Sequence, residues 1–350
     1  MRRNHAILAL LVFMLLGVFA CKSVETTSAM LHNQNGNFDK AIEMANLAIE
    51  KKPDDAEAYF QLGISYSYTG KMRMAYDSFK KAAELDPNKE KLVLENIASN
   101  WAKHYNLGLN ELQGENYEGA GNEFFEATEA DPGKVKSWFN LAMVYNFLSA
   151  ADSTFLEPSF TAVDQLMTRV TENHEDYGKV LALAGKIMVK RGEEEKAIEI
   201  FDKLLLFDPA KAETVEGVGN DFLNNENYAG AIRLYELAIN AYIRAETQSA
   251  DVYYNLGICY LKTEEYLKAA DAYQQVLAIE PDNKRAHYSL LLVYYEGKLW
   301  EEVILQGQKY TTEIAPDDPG GWQILGLTYS KKNMKTMAEK AMEKYLELTQ

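Results

Sequence analysis

Cysteine and proline are both scarce in this chain, and each shortage restricts the fold. Two cysteines in 350 residues, Cys21 and Cys259, exclude a disulfide-rich framework. Eight prolines leave long stretches without a helix breaker. With 47% apolar and 25% charged residues, the composition is that of a folded helical protein, because a disordered chain would be less hydrophobic.

Catalytic and metal-binding motifs are also missing. The pair Gly217 and Gly219 lacks the third glycine of a dinucleotide-binding loop, and no phosphate-binding loop or nucleophile elbow occurs. The histidines are scattered and show no metal-ligand spacing: His5, His32, His104, His174 and His287. We therefore expect no enzyme activity, no catalytic residues, no metal and no cofactor.

Positive charge is in deficit, since 36 lysines and arginines stand against 52 acidic residues. The resulting net charge of -16 repels phosphate backbones and anionic lipid headgroups. We expect no binding of nucleic acid.

Long hydrophobic runs are limited to one, at the N-terminus. Arg2 and Arg3 precede an uncharged stretch from Ala6 to Ala20. As a helix this stretch would span roughly 22 Å, which is short of the roughly 30 Å of a bilayer core. It therefore fits the apolar region of a signal peptide better than a transmembrane helix.

The run ends in Val18-Phe19-Ala20-Cys21, which resembles the lipobox of bacterial lipoproteins. The resemblance implies that residues 1–20 are removed as a signal peptide and that Cys21 is lipidated; two or three acyl chains give a stable membrane anchor. Lys22 after the cysteine favours the outer membrane, with the periplasmic face preferred over the cell surface. Two alternatives remain, a secreted protein cut at the same alanine and an uncleaved N-terminal anchor.

Beyond the N-terminus, apolar residues recur with the spacing of paired amphipathic helices. The clearest copy consists of Tyr59, Leu62, Gly63 and Tyr66, then a break at Gly70, then Ala75, Phe79 and Ala82. Related copies follow along the rest of the chain. The pattern predicts two antiparallel helices joined by a tight turn in about 34 residues.

A glycine occupies the same place of the first helix in six copies: Gly63, Gly108, Gly185, Gly219, Gly257 and Gly326. Each costs about 1 kcal/mol relative to alanine, so the six together cost about 6 kcal/mol, comparable to the stability of a whole domain. A close approach of the second helix would offset that cost. We expect the alanine opposite each glycine to supply the other half of the contact: Ala75, Ala120, Ala197, Ala231, Ala269 and Ala338.

These residues resemble the tetratricopeptide repeat (TPR) consensus. The resemblance implies an all-α fold, a right-handed α-solenoid superhelix of about nine helix-turn-helix repeats filling residues 21–350. The approximate repeats are 22–55, 56–89, 101–134, 135–177, 178–211, 212–245, 250–283, 284–318 and 319–350. Extra residues interrupt the period at 90–100, 149–158 and 246–249, where we expect a longer helix, a widened turn and a spacer, with tolerated surface variation or a binding loop as alternative roles.

TPR arrays bind extended peptides or partner helices on a concave surface lined mainly by first helices. The resemblance places aromatic and asparagine side chains on that groove: Phe60, Tyr105, Asn106, Phe139, Asn140, Tyr254, Asn255 and Tyr288. Aromatic rings supply contact area at small entropy cost, and asparagine holds a peptide backbone through donor and acceptor. The alternative is that the rings pack between neighbouring repeats.

Three lysines at groove positions of the fifth repeat, Lys179, Lys186 and Lys190, form a local positive strip that could meet a carboxylate or an acidic peptide. Solvated lysines near helix ends are the alternative. No repeat combines lysine and asparagine in the way that TPR carboxylate clamps do, so we expect no such clamp.

The favoured function is a lipid-anchored scaffold or adaptor of the cell envelope that binds proteins or extended peptides and contributes to the assembly of envelope or outer-membrane complexes. One alternative is a component of nutrient uptake that binds a carbohydrate or small molecule. A self-assembling scaffold is a third interpretation.

Overall fold

Residues Lys22 to Gln350 are described by a computed structural model, and they form eighteen α-helices without a strand among them. Cys21 and the predicted signal peptide lie outside the described residues. Two compact units divide the chain, one ending at Val170 and the other running from Thr171 to Gln350. The predicted all-α repeat fold is confirmed.

The first unit contains four helix pairs. Its helices are α1 (Val24–Gln34), α2 (Phe38–Lys51), α3 (Ala56–Tyr68), α4 (Met72–Leu85), α5 (Glu90–Gln113), α6 (Tyr117–Ala130), α7 (Val135–Leu148) and α8 (Leu156–Met167). Odd-numbered helices, here called first helices, pack on the even-numbered second helices that follow them, and the pairs stack on one another.

The second unit contains five pairs arranged in the same way. Its helices are α9 (Tyr177–Arg191), α10 (Glu194–Phe207), α11 (Ala212–Asn224), α12 (Tyr228–Arg244), α13 (Ala250–Lys262), α14 (Tyr266–Ile279), α15 (Lys284–Glu296), α16 (Trp300–Lys309), α17 (Pro319–Lys331) and α18 (Lys335–Thr349). A π-helical turn, Tyr310–Ile314, extends α16.

In eight of the nine pairs the turn contains one residue in the left-handed conformation, seven places after the first-helix position that corresponds to Gly63. Eight pairs follow this rule: Gly36, Gly70, Glu115, Gly192, Glu226, Glu264, Lys298 and Asn333 have φ between +57° and +78°. The pair formed by α7 and α8 has no such residue, and there the turn is widened, with a short 3-10 turn at Ser153–Phe155. The widening predicted at residues 149–158 is therefore real, although its last residues already belong to α8.

The other extra residues behave as predicted where they precede the third pair. Residues 90–100 are helical and lengthen α5 to 24 residues. Carboxylates in the turns between pairs cap the next helix: Asp55 accepts from the amides of Glu57 and Ala58 at 3.1 Å, and Asp318 accepts from the amide of Gly320 at 2.9 Å. The turn acids thus satisfy helix N-termini.

Close packing at the six glycines is present, but the expected alanine partners are wrong. A Cβ added at Gly63 would lie 2.6 Å from Cδ1 of Phe79, and the nearest atoms at the other five glycines likewise belong to a large side chain. Those side chains are Phe124, Phe201, Tyr235, Tyr273 and Met342. Each lies four residues after the predicted alanine, so the glycine makes room for a large side chain, which is buried in every case except the half-buried Met342. The alanine lies one helical turn away from that contact.

Candidate functional site: the first-helix faces

The predicted groove residues lie on the first helices of both units, and they differ in how much surface they keep. Half-buried positions are Tyr105, Phe139, Asn140, Tyr254, Asn255 and Tyr288, while Asn106 and the three lysines are exposed. We call these surfaces the first-helix face of the first unit (Trp101, Tyr105, Asn106, Phe139, Asn140) and of the second unit (Lys186, Tyr254, Asn255, Arg285, Tyr288).

The prediction that Phe60 lies on the groove is wrong, because this residue is only 6% exposed and cannot contact a partner. It belongs to a buried cluster with Phe79 and with Val93 and Ile97 of the lengthened α5. The Lys89 ammonium lies 5.4 Å from the centre of the Phe60 ring. The residues that lengthen α5 therefore cover a position that is half-exposed in other repeats.

On the first unit, aromatic rings and polar side chains connect α5 with α7. Trp101 stacks on Tyr105 with ring centres 5.0 Å apart, and its indole N–H donates to Oγ of Ser137 at 2.8 Å. Nδ2 of Asn140 donates to the Tyr105 hydroxyl at 3.2 Å. Two of the predicted groove residues, Tyr105 and Asn140, thus also hold neighbouring first helices together, which is the packing alternative that the sequence left open.

On the second unit, Tyr254 is the centre of a polar aromatic cluster. Its hydroxyl lies 2.9 Å from Oγ of Ser289, and the Arg285 guanidinium lies 4.1 Å from its ring centre. The buried ring of Tyr273 meets it edge-on at 5.3 Å, and burial raises the pKa of the Tyr273 hydroxyl above its usual range. Arg285 is exposed and has no ion pair with a carboxylate among residues 22–350. A fixed cation thus lies beside an aromatic ring on an otherwise acidic protein.

Asn255 bonds to the neighbouring repeat. Its Nδ2 donates to Oδ1 of Asn220 at 2.9 Å, and the same oxygen accepts from the Tyr235 hydroxyl at 2.7 Å. Replacing Asn255 therefore removes a bond between α11 and α13 as well as a groove residue.

The three lysines of α9 do not form the unopposed positive strip that the sequence suggested. Lys179 pairs with Asp176 at 2.8 Å. Lys186 lines a concavity of about 400 Å³ together with Glu213 and Asp221 of α11. Desolvation lowers the pKa of Lys190. Carboxylates oppose part of the positive charge, so a preference for acidic peptides at this place loses its support.

The described part of the chain offers no metal-binding cluster and no exposed thiol. Between Lys22 and Gln350, no three His, Cys, Asp or Glu side chains are grouped to hold a metal. Cys259 has no exposed surface, and burial raises the pKa of its thiol to about 12. No helix in this range has the length and apolarity needed to cross a bilayer.

Sequence reasoning missed Trp101, Asn220 and Arg285. Arg285 occupies the second place of its first helix, three residues before the predicted Tyr288, and a search for cations next to groove aromatics would have found it. Asn220 directly follows Gly219, one of the six glycines at the same repeat position, so its position in the repeat could be read from the sequence. Its bonding partners were not visible, because they depend on how adjacent pairs are stacked.

Known proteins similar to this chain carry the same repeat. The family described as tetratricopeptide repeat protein 21 C-terminal ARM domain matches residues 109–291, and tetratricopeptide repeat families match residues 56–89 and 320–350. The chain is 18% identical over 316 residues to the BBSome complex member BBS4 homolog of Drosophila melanogaster, which covers 90% of this chain and 62% of that relative.

Two further similarities extend this picture. BBSome complex member BBS4 of Bos taurus is 18% identical over 274 residues, or 78% of this chain and 48% of that relative. This chain thus spans about half to two thirds of the length of these relatives. The solved C-terminal part of a TPR repeat-containing protein from Cytophaga hutchinsonii is 19% identical, with a TM-score of 0.46, over 70% of this chain and 95% of that one.

Proposed function

Because this chain belongs to the tetratricopeptide repeat family, we propose that it is an adaptor of the bacterial cell envelope that binds partner proteins or extended peptides on its first-helix faces. Its fold is consistent with a protein–protein interaction scaffold, since stacked helix pairs expose long surfaces without a closed reaction site. We assign it a lipid anchor at Cys21, the outer membrane as its location, and a role in holding envelope complexes together.

The observation that carries the binding proposal is the exposure of the groove aromatics. Tyr105, Phe139, Tyr254 and Tyr288 are all only half-buried, although each contacts its own chain. Aromatic rings of this kind supply large contact area with few rotatable bonds, and they are frequent hot spots of protein interfaces. Arg285 adds a fixed cation next to Tyr254. These groups suit a peptide that has apolar side chains for the rings and a hydrogen-bond acceptor for Arg285.

A charge reversal at an exposed position tests the binding face, although it also removes the contact between Arg285 and the Tyr254 ring. Arg285→Glu alters an exposed side chain of α15, and Lys340→Glu alters a lysine that is also exposed, on the second helix α18, as a control. In affinity capture from envelope extracts, we expect the control to retain the partner and Arg285→Glu to lose about fivefold or more of it. Equal capture by both variants would place the interface elsewhere.

The membrane anchor is supported by the sequence around Cys21 alone. We expect Cys21→Ser to release the protein from membranes or to block removal of the signal peptide, because acylation needs the thiol. Fractionation of cells that express each form gives the answer. Membrane partition that is unchanged in the variant would favour an uncleaved N-terminal helix.

The carbohydrate alternative draws no support from the described residues beyond the presence of aromatic rings. Titration calorimetry with oligosaccharides separates the two functions. Sugar binding in the absence of any captured protein would reverse the order proposed here.

A further inference from the structure

A pocket of about 680 Å³ opens on the second-helix side of the first unit, away from the first-helix face. The second helices α6 and α8 form its sides, and α7 forms its floor. Its volume lies in the range of pockets that hold small ligands or anchoring side chains.

The walls of this pocket are mainly apolar. Trp138 and Leu141 form the floor, and Ala162 belongs to the α8 side; all three are at most 6% exposed. Phe125 is 44% exposed and stands at the entrance. Tyr145 contributes a half-buried ring. Walls of this composition gain free energy when an apolar group displaces water from them.

The pocket lies beside the widened turn between α7 and α8. Pro158, in the first turn of α8, forms part of its wall. The Tyr145 ring is held in place by the small Gly121, where a Cβ would lie 2.8 Å from Cε1 of Tyr145, and by Phe155 of the widened turn, 5.6 Å away between ring centres. Both contacts hold the Tyr145 ring in its position in the absence of a ligand.

The charged groups at the rim differ in whether they are already paired within the protein. Arg73 and Glu129 form a two-point ion pair, with nitrogen–oxygen distances of 2.7 and 3.0 Å, that neutralises both. Arg169 lies over the Trp138 ring at 4.9 Å and donates to backbone oxygens of neighbouring residues. Glu157 also lines the pocket, is exposed, and has no salt bridge within residues 22–350.

The net charge of the first unit as a whole is complementary to a basic partner. Between Lys22 and Val170 the chain has 22 acidic and 14 basic residues. A cation approaching the pocket therefore meets an acidic unit and the unpaired carboxylate of Glu157, whereas an acidic segment would be repelled.

We propose that this pocket is a second binding site, which takes one large apolar side chain of a partner peptide that has a lysine or arginine next to it. The apolar side chain fills the space above Trp138 and Leu141, and the basic neighbour pairs with Glu157. The proposal does not depend on the first-helix face, because no residue is shared between the two surfaces.

Fluorine NMR of the full chain labelled with 5-fluorotryptophan tests the site. The probe is a short capped peptide with a central phenylalanine flanked by two lysines. We expect a saturable shift of the Trp138 signal, with no change at Trp300 or Trp322 of the second unit. Replacing the central phenylalanine by serine, or the two lysines by glutamates, should weaken the binding about tenfold.

Two variants locate the effect. Thr161 is exposed at the pocket lining, so Thr161→Phe should plug the pocket and weaken binding about tenfold, while Thr27→Phe on α1 serves as the matched control. Glu157→Gln should weaken binding about two- to fivefold, the effect of losing one exposed ion pair. Melting curves establish that each variant is folded.

The absence of a saturable Trp138 shift would overturn the proposal. Equal affinity in Thr161→Phe, or equal binding of the serine peptide, would overturn it as well, because binding would then not use the pocket or its apolar walls.

Discussion

Two glycines of α11, two residues apart, should respond differently to the same substitution. Gly217 is exposed, and a Cβ added there would meet no atom within 4 Å. A Cβ added at Gly219 would lie 2.8 Å from Cε1 and 3.0 Å from Cδ1 of Tyr235. Both lie inside the helix Ala212–Asn224, so each alanine brings the same gain in helix propensity.

The expected magnitudes follow from these distances. Gly217→Ala should raise the free energy of unfolding by about 1 kcal/mol. At Gly219 the same gain is opposed by overpacking, which costs about 1–3 kcal/mol. The Tyr235 ring cannot move aside easily, because it is fully buried and its hydroxyl donates to Asn220. The two variants should therefore differ by about 1–3 kcal/mol, with Gly219→Ala the less stable.

Urea unfolding followed by circular dichroism measures this difference. Because stacked repeats can unfold in parts, hydrogen exchange of the amides in α11 and α12 should accompany it. If Gly219→Ala were as stable as Gly217→Ala, the close contact between glycine and ring would not exist, and the account of the repeat period would fail.

Three further outcomes are expected. In a Cys21→Ser background the buried Cys259 thiol should resist alkylation at pH 8 and react in urea; rapid labelling of the native protein would contradict its burial. Glu226→Gly should raise the free energy of unfolding by about 0.5–1 kcal/mol, because glycine tolerates the φ of +59° that strains glutamate; a lower melting temperature would refute the strain. Asn255→Ala should cost about 1 kcal/mol in urea unfolding through its lost bond to Asn220, and unchanged stability would show that the bond contributes nothing.

The fold could be predicted from the sequence, because apolar and small residues recur both with the helix period and with the repeat length. Tyr59, Leu62 and Gly63 define one helix face, and the lengthened α5 followed from the apolar residues among positions 90–100. The partner of each glycine was wrong because matching small residues suggest contact, whereas a helical side chain such as Phe79 reaches the turn that precedes it.

The candidate site was less predictable, because the same repeat position has different surroundings in each repeat. Phe60 and Tyr254 occupy equivalent places, yet Phe60 is covered by the lengthened α5 and Tyr254 is half-exposed. Asn140 and Asn255 bond to neighbouring first helices, while Asn106 is exposed. The pocket between α6 and α8 lies beside the widened turn, whose conformation no periodic pattern encodes.

Photo-cross-linking in intact cells tests the central claim, that partner proteins bind on the first-helix faces. A photoreactive phenylalanine analogue would replace Tyr105 or Tyr288, with replacement of Tyr345 on the second helix α18 as the comparison. The account predicts cross-links to the same partner protein from positions 105 or 288 and none to it from position 345. Cross-links from position 345 alone, or none at either first-helix position, would contradict it.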